Sequence, residues 1–126
     1  MKQEDKELLL KDLCVRVPYG VKVLYDNKVF DIEYVSPMYE EVKLDTPDNW
    51  TVAVSDIKPY LFPLSSMNDE EQRTLDSMCN DVEMVSRLSG LKMFDKAFDW
   101  LNENHFDYRG LIEKGIAIDA TGLNIY

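Results

Sequence analysis

The residues with the most capacity for chemistry stand close together near the end of the chain: His105, Asp107, Tyr108 and Arg109, followed by Gly110. A guanidinium flanked by an aspartate and a tyrosine can clamp a carboxylate or phosphate through two parallel N–H donors. The same guanidinium can instead tie the terminal segment to acidic helices of its own chain, and the pattern fits both uses. His105 is the only histidine, so a Ser-His-Asp relay or a histidine-based zinc site would depend on it alone. Zinc wants three or four nitrogen or sulfur ligands at short spacings, which Cys14, Cys79 and one histidine do not supply. The two cysteines read as reduced packing residues at helical spacing. His105 reads as the end of a helix, where an imidazole favours the negative pole of the dipole.

Other constellations are weaker still. Neither a Gly-x-x-x-x-Gly-Lys-Ser/Thr nor a Gly-x-Gly-x-x-Gly run occurs, so no phosphate-cradling loop is encoded in those forms. The acidic pairs Glu40-Glu41, Glu70-Glu71 and Asp45 with Asp48 fall in expected turns, on an outward strand or in a first helical turn. General acid–base work needs two carboxylates facing each other across a cleft, one of them desolvated. These pairs read as solvated surface. No catalytic, metal or cofactor residue is assigned, and the reading leans away from an enzyme.

Composition narrows the setting. The 126 residues carry 24 acidic and 14 basic side chains, a formal charge of −10. Such a chain is repelled by a phosphate backbone, which disfavours direct nucleic-acid binding. Hydrophobic content of 45% argues for a folded domain rather than disorder. No apolar run approaches the roughly 20 residues of a membrane span, and the first residues lack the pattern of a secretory leader. The expectation is a cytoplasmic protein with no membrane contact.

The elements that must position these residues follow from periodicity. One domain is expected over residues 1–126: a helix in 1–17, a sheet in 20–55, a connector in 56–67, a helical part in 68–104 and a packed tail in 105–126. The first helix carries the stripe Leu9, Leu10, Leu13 and Cys14, with Asp12 off it. Val21, Val23 and Tyr25, then Phe30, Ile32 and Tyr34, then Val42 and Leu44, then Trp50, Val52 and Val54 alternate as inward faces of four strands. Asp26-Asn27 suits a two-residue hairpin. The fold class is α+β: an N-terminal helix, a small bent antiparallel four-stranded sheet, two C-terminal helices and an ordered tail. The sheet closes into an SH3-like barrel or stays flat with helices on one face. Pro59 and Pro63 exclude residues 56–67 from a central strand, because each lacks an N–H donor. Asn68 with Glu71 forms a capping box for a helix reaching about Ser89, with Gly90 as its C-cap. A third helix spans about Met93 to Asn104 with Phe94, Ala97, Phe98 and Leu101 on one face. In the tail, Arg109 to Gly115 reads as a helical turn and Ile116 to Asp119 as a short extended piece.

Three blocks carry a resemblance: Lys6-Glu7-Leu8-Leu9-Leu10-Lys11-Asp12-Leu13-Cys14 with Pro18-Tyr19-Gly20-Val21-Lys22; Asp56-Ile57-Lys58-Pro59-Tyr60-Leu61-Phe62-Pro63-Leu64-Ser65-Ser66-Met67; and His105-Phe106-Asp107-Tyr108-Arg109-Gly110-Leu111-Ile112-Glu113-Lys114-Gly115. Together they resemble a family of small proteins of unassigned activity from Bacteroidales genomes, their prophages and phages. The resemblance implies a mobile-element setting inside the bacterium. It implies no activity and carries over no functional residue.

Three functions are weighed on these grounds. The first is a non-enzymatic protein-interaction module whose partner is a host or phage protein. The second is an acidic decoy that occupies the nucleic-acid-binding surface of an enzyme, with Asp69, Glu70, Asp76, Asp81 and Glu83 as part of a carboxylate row. The third is a small enzyme or ligand binder that uses Arg109, with His105 and Tyr108 beside it.

Overall fold

Helix α1 (Gln3–Arg16) turns Leu9, Leu10 and Leu13 into the core, as its stripe predicts. The computed structural model describes residues 1–48, 50–80 and 87–126, without the side chains of residues 80 and 87–93. Two residues of α1 depart from expectation. Cys14 is exposed, while Asp12 is fully buried. The reason is Arg16, one turn after Asp12, which is also fully buried and pairs with it. A 3-10 turn (Val17–Tyr19) follows, with Pro18 in its first positions and Gly20 closing it at φ +74°.

Strands β1 (Lys22–Tyr25), β2 (Lys28–Ser36), β3 (Glu41–Leu44) and β4 (Thr51–Ala53) form an antiparallel meander. Asp26 and Asn27 make the β1–β2 hairpin with both φ angles positive, the twist a two-residue hairpin needs. Val23, Val42 and Leu44 are buried as the alternation predicts. Tyr34 is not. The β2–β3 register pairs Ile32 with Leu44 but Tyr34 with Lys43, so Glu33 is an extra residue in β2. A bulge of this kind reverses the inward parity beyond it. Tyr34 is therefore exposed, and Val35 packs on the core in its place.

The segment expected as a connector is a strand, β5 (Lys58–Pro63), entered through a 3-10 turn (Val54–Asp56). It pairs antiparallel with β1 and parallel with two tail strands, β6 (Phe106–Asp107) and β7 (Ile118–Asp119). Phe62 N–H donates to the His105 carbonyl and Ala120 N–H to the Leu61 carbonyl, both at 2.8 Å. The Leu61 carbonyl and the Phe62 N–H share one trans peptide and point opposite ways, so β6 and β7 take opposite edges of β5. By alternation, the missing donors of Pro59 and Pro63 fall on the edge where β7 engages Leu61 between them. The two prolines are tolerated because neither stands where a ladder bond is required.

The result is a mixed seven-stranded sheet in the order β4-β3-β2-β1-β5-β6, with β7 added on β5. It replaces the expected four antiparallel strands, and among the described residues no ladder joins β4 to β5 or β6. The fold is α+β. Helix α2 (Asp69–Asn80) begins with the predicted reciprocal cap: Glu71 N–H donates to Asn68 Oδ1 at 2.7 Å and Asn68 N–H to Glu71 Oε1 at 3.0 Å. Its expected continuation through residues 81–86 lies outside the described residues. Ser89 and Gly90 belong instead to helix α3 (Arg87–Glu103), so Gly90 is no C-cap. Ala97 and Leu101 are buried, whereas Phe94 and Phe98, expected on the same face, are exposed. No described helix is long and apolar enough to cross a membrane.

Candidate functional site at the junction of α1 and the tail

The tail brings its four singled-out residues to the end of α1, and each meets a different environment. Asp12 is the hub. Its Oδ2 accepts from Arg16 Nε at 2.7 Å and its Oδ1 from Arg109 Nη1 at 2.9 Å. Arg16 Nη2 donates to the Phe106 carbonyl at 2.6 Å, tying α1 to β6. Both guanidinium groups lie over the Tyr108 ring, with Cζ 5.3 Å (Arg16) and 4.8 Å (Arg109) from its centroid. Arg16 Nη1 has no hydrogen-bond partner, and the negative face of this ring is what offsets the buried charge there. Arg109 Nη1 also donates to the Tyr108 hydroxyl at 3.2 Å, which donates to Asn102 Oδ1 at 2.8 Å.

Asp107 is buried and turned the other way. Its two oxygens accept the N–H groups of Leu111 (3.0 Å) and Ile112 (2.9 Å), folding the chain into a turn. Gly110 and Gly115 stand at φ +74° and +76°, and the Ile112 carbonyl accepts from Gly115 N–H. These left-handed positions make residues 111–115 a turn rather than the expected helical one.

His105 does not meet a helix dipole as a cation. It follows α3 at φ +63°, and its ring stacks on Tyr126 at 3.6 Å and 11°. Burial, helped by the Arg16 and Lys22 charges, pushes its pKa down to about 4. It is therefore neutral near pH 7, with a buried Nδ1 that has no partner.

Tyr126 was not singled out by sequence, yet it closes the sheet. Val23 pairs with Pro59, so Lys22 and Tyr60 are the next register partners of β1 and β5. Instead of a direct bond, the Tyr126 hydroxyl bridges them, accepting from Lys22 N–H at 3.0 Å and donating to the Tyr60 carbonyl at 2.7 Å. Burial raises this phenol to a pKa of about 12. The only sequence signal was an aromatic at the close of an apolar tail.

Two depressions flank the cluster. A cleft of about 530 Å³ is lined by Phe62, Glu71, Glu103, His105, Thr121 and Tyr126 among others. A groove of about 380 Å³ runs between Val15, Pro18 and Tyr19 on one side and Asp95, Phe98 and Asp99 of α3 on the other, over Asn102, Tyr108 and Arg109. Phe98 and Tyr108 are in contact, centroids 5.1 Å apart. The Tyr19 phenol is raised by burial and then by the Asp99 carboxylate, with Glu103 and Asp95 adding to the field.

Chemically, the carboxylates of Asp12 and Asp107 are occupied by internal donors, and the His105 ring is covered. Arg109 lines the groove and holds Asp12 through Nη1. Among the described residues no three His, Cys, Asp or Glu side chains converge as metal ligands. The sequence pattern left Arg109 between clamp and internal tie, and the tie is present. Comparison with known proteins returned no matching family model, curated protein or solved structure.

Proposed function

We propose that this chain is a non-enzymatic protein-interaction module acting on a host or phage protein in the cytoplasm of a bacterium, in the mobile-element setting that its three blocks imply. The observation that carries this reading is the outward display of Val29, Tyr34, Met38 and Tyr39 on β2 and the turn after it, with Met38 83% exposed. Exposed apolar side chains gathered on one part of a small domain mark contact surfaces. Of the polar residues best suited to chemistry, Arg109 and Tyr108 are bonded to each other, Asp107 holds two backbone N–H groups and His105 is stacked on Tyr126. We also infer that β1–β5 form a partly open SH3-like barrel, since a four-strand meander, a 3-10 turn and a fifth strand returned to the first is the connectivity such a barrel needs.

The test is affinity capture of the tagged protein from its host, before and during phage induction, with nuclease present. One enriched, nuclease-resistant protein is expected, and it should be lost from a Tyr34→Ser/Tyr39→Ser variant that melts like the parent. Repeated capture with no enriched protein sinks the reading.

A second reading, the acidic decoy, is favoured by Asp95, Asp99 and Glu103 on successive turns of α3, all acting on Tyr19. Asp81 and Glu83 of the expected row lie outside the described residues. A decoy complex must weaken steeply with salt. A complex that survives molar salt rules it out.

A further inference from the structure

We infer that the groove between the end of α1 and α3 is a receptor for one arginine side chain presented by a partner protein. The inference rests on the interaction-module reading and names the chemistry of one contact.

The groove combines an apolar lining with charge of one sign. Val15, Pro18, Tyr19, Phe98 and Tyr108 supply its walls, and Val15 and Phe98 remain exposed within it. Asp95 and Asp99 stand one helical turn apart on the α3 side, with Glu103 a further turn along. The floor opposes this with only one net charge. Arg16 and Arg109 share the single carboxylate of Asp12, leaving one net positive charge, which Asp95, Asp99 and Glu103 outnumber. What reaches the groove is therefore the field of the α3 carboxylates, the same field that acts on the Tyr19 phenol.

A flat, weakly hydrated cation suits this combination better than a compact one. A guanidinium can stack on an aromatic face while its edge donates two parallel N–H groups to a carboxylate. Tyr108 already holds two guanidinium groups over its ring, so the molecule uses this pairing internally at the groove floor. An ammonium would gain the charge term but not the stacking. A phosphate or carboxylate would be repelled by Asp95 and Asp99.

The experiment is a titration of the whole chain, followed by backbone amide NMR, with N-acetyl-arginine methylamide. The neutral isostere N-acetyl-citrulline methylamide and the lysine derivative serve as comparators. Shifts should be confined to the amides of residues 15–19, 95–102 and 108–109, and citrulline should bind about tenfold more weakly. Asp95→Asn/Asp99→Asn should weaken arginine by a similar factor, and Phe98→Ala by about threefold with the charge unchanged. Equal binding of lysine and arginine, shifts spread over the other acidic surfaces, no localised shift at millimolar ligand, or full binding by the double variant would each overturn the inference. The interaction-module reading is judged separately. A partner captured as well by the Asp95→Asn/Asp99→Asn variant as by the parent leaves that reading standing and removes the groove from it, whereas absence of any partner ends the reading itself.

Discussion

Two parts of this molecule are buried to the same depth by opposite means. The centre of the meander is apolar throughout: Val23, Val42 and Leu44 are fully buried and meet α1 through Leu9 and Leu13. The junction of α1 with the tail is ionic, with Asp12 and Arg16 equally buried and Arg109 partly so. An apolar core tolerates change in proportion to the volume removed. A buried ionic cluster is less graded, because removing one member strands the others in a medium that cannot solvate them. The two regions should therefore respond differently to substitutions of similar size.

The sharpest contrast comes from Asp12→Ala, which leaves Arg16 without its partner inside the protein. A loss of about 3–5 kcal/mol is expected by denaturant titration. A loss below 1 kcal/mol would mean that water reaches the junction and that the contrast is false. Leu44→Ala, in the apolar half, should cost about 2–4 kcal/mol and leave hydrogen exchange in the tail unchanged relative to the rest of the chain. If both variants loosen the tail equally, the two halves are one cooperative unit rather than two kinds of core.

His105 offers a pH handle on the ionic half. Its folded pKa, about 4, lies below the ordinary 6.5, so between these values the unfolded chain binds the extra proton. Stability on this account is intact above pH 7 and falls as the pH drops from 6.5 through 4. Asparagine accepts the positive φ at this position. His105→Asn should therefore fold and show a smaller drop in melting temperature between pH 7 and pH 4.5. An identical drop in both proteins would assign the whole acid effect to carboxylates. Smallest is Tyr126→Phe, which removes the bridge between β1 and β5 and should cost about 1 kcal/mol, with faster exchange at Lys22 N–H as its local signature.

What could be read from the chain in advance divides along the same line. The meander was legible because its information is local. Two-residue alternation, the Asp26-Asn27 turn and the Asn68–Glu71 cap each involve residues a few positions apart. Its reversal at Tyr34 came from a single inserted residue, Glu33, which no periodic pattern announces, and Trp50, expected inward, is half exposed just before β4. The ionic junction was only half legible. Arg109 stood out, and an internal acidic partner was among its readings, but the partner proved to be Asp12, 97 positions away, in a helix that looked ordinary. Arg16 carried no signal of its own and Tyr126 only that of an aromatic closing an apolar tail, since both acquire their roles from groups that another segment delivers.

Sequence alone determined the local geometry: where α1 and α2 begin, which meander residues face inward up to the bulge, and that the chain is acidic and α+β. These follow from backbone preferences and from the segregation of apolar side chains, which act over one or two turns. Only the tertiary structure decided that a proline-flanked segment serves as an interior strand, that an aspartate and an arginine of the first helix are buried, and that Tyr126 seals the sheet. Each depends on where distant donors and acceptors meet. A buried polar group must find a partner, and the sequence states the need without naming the residue that fills it.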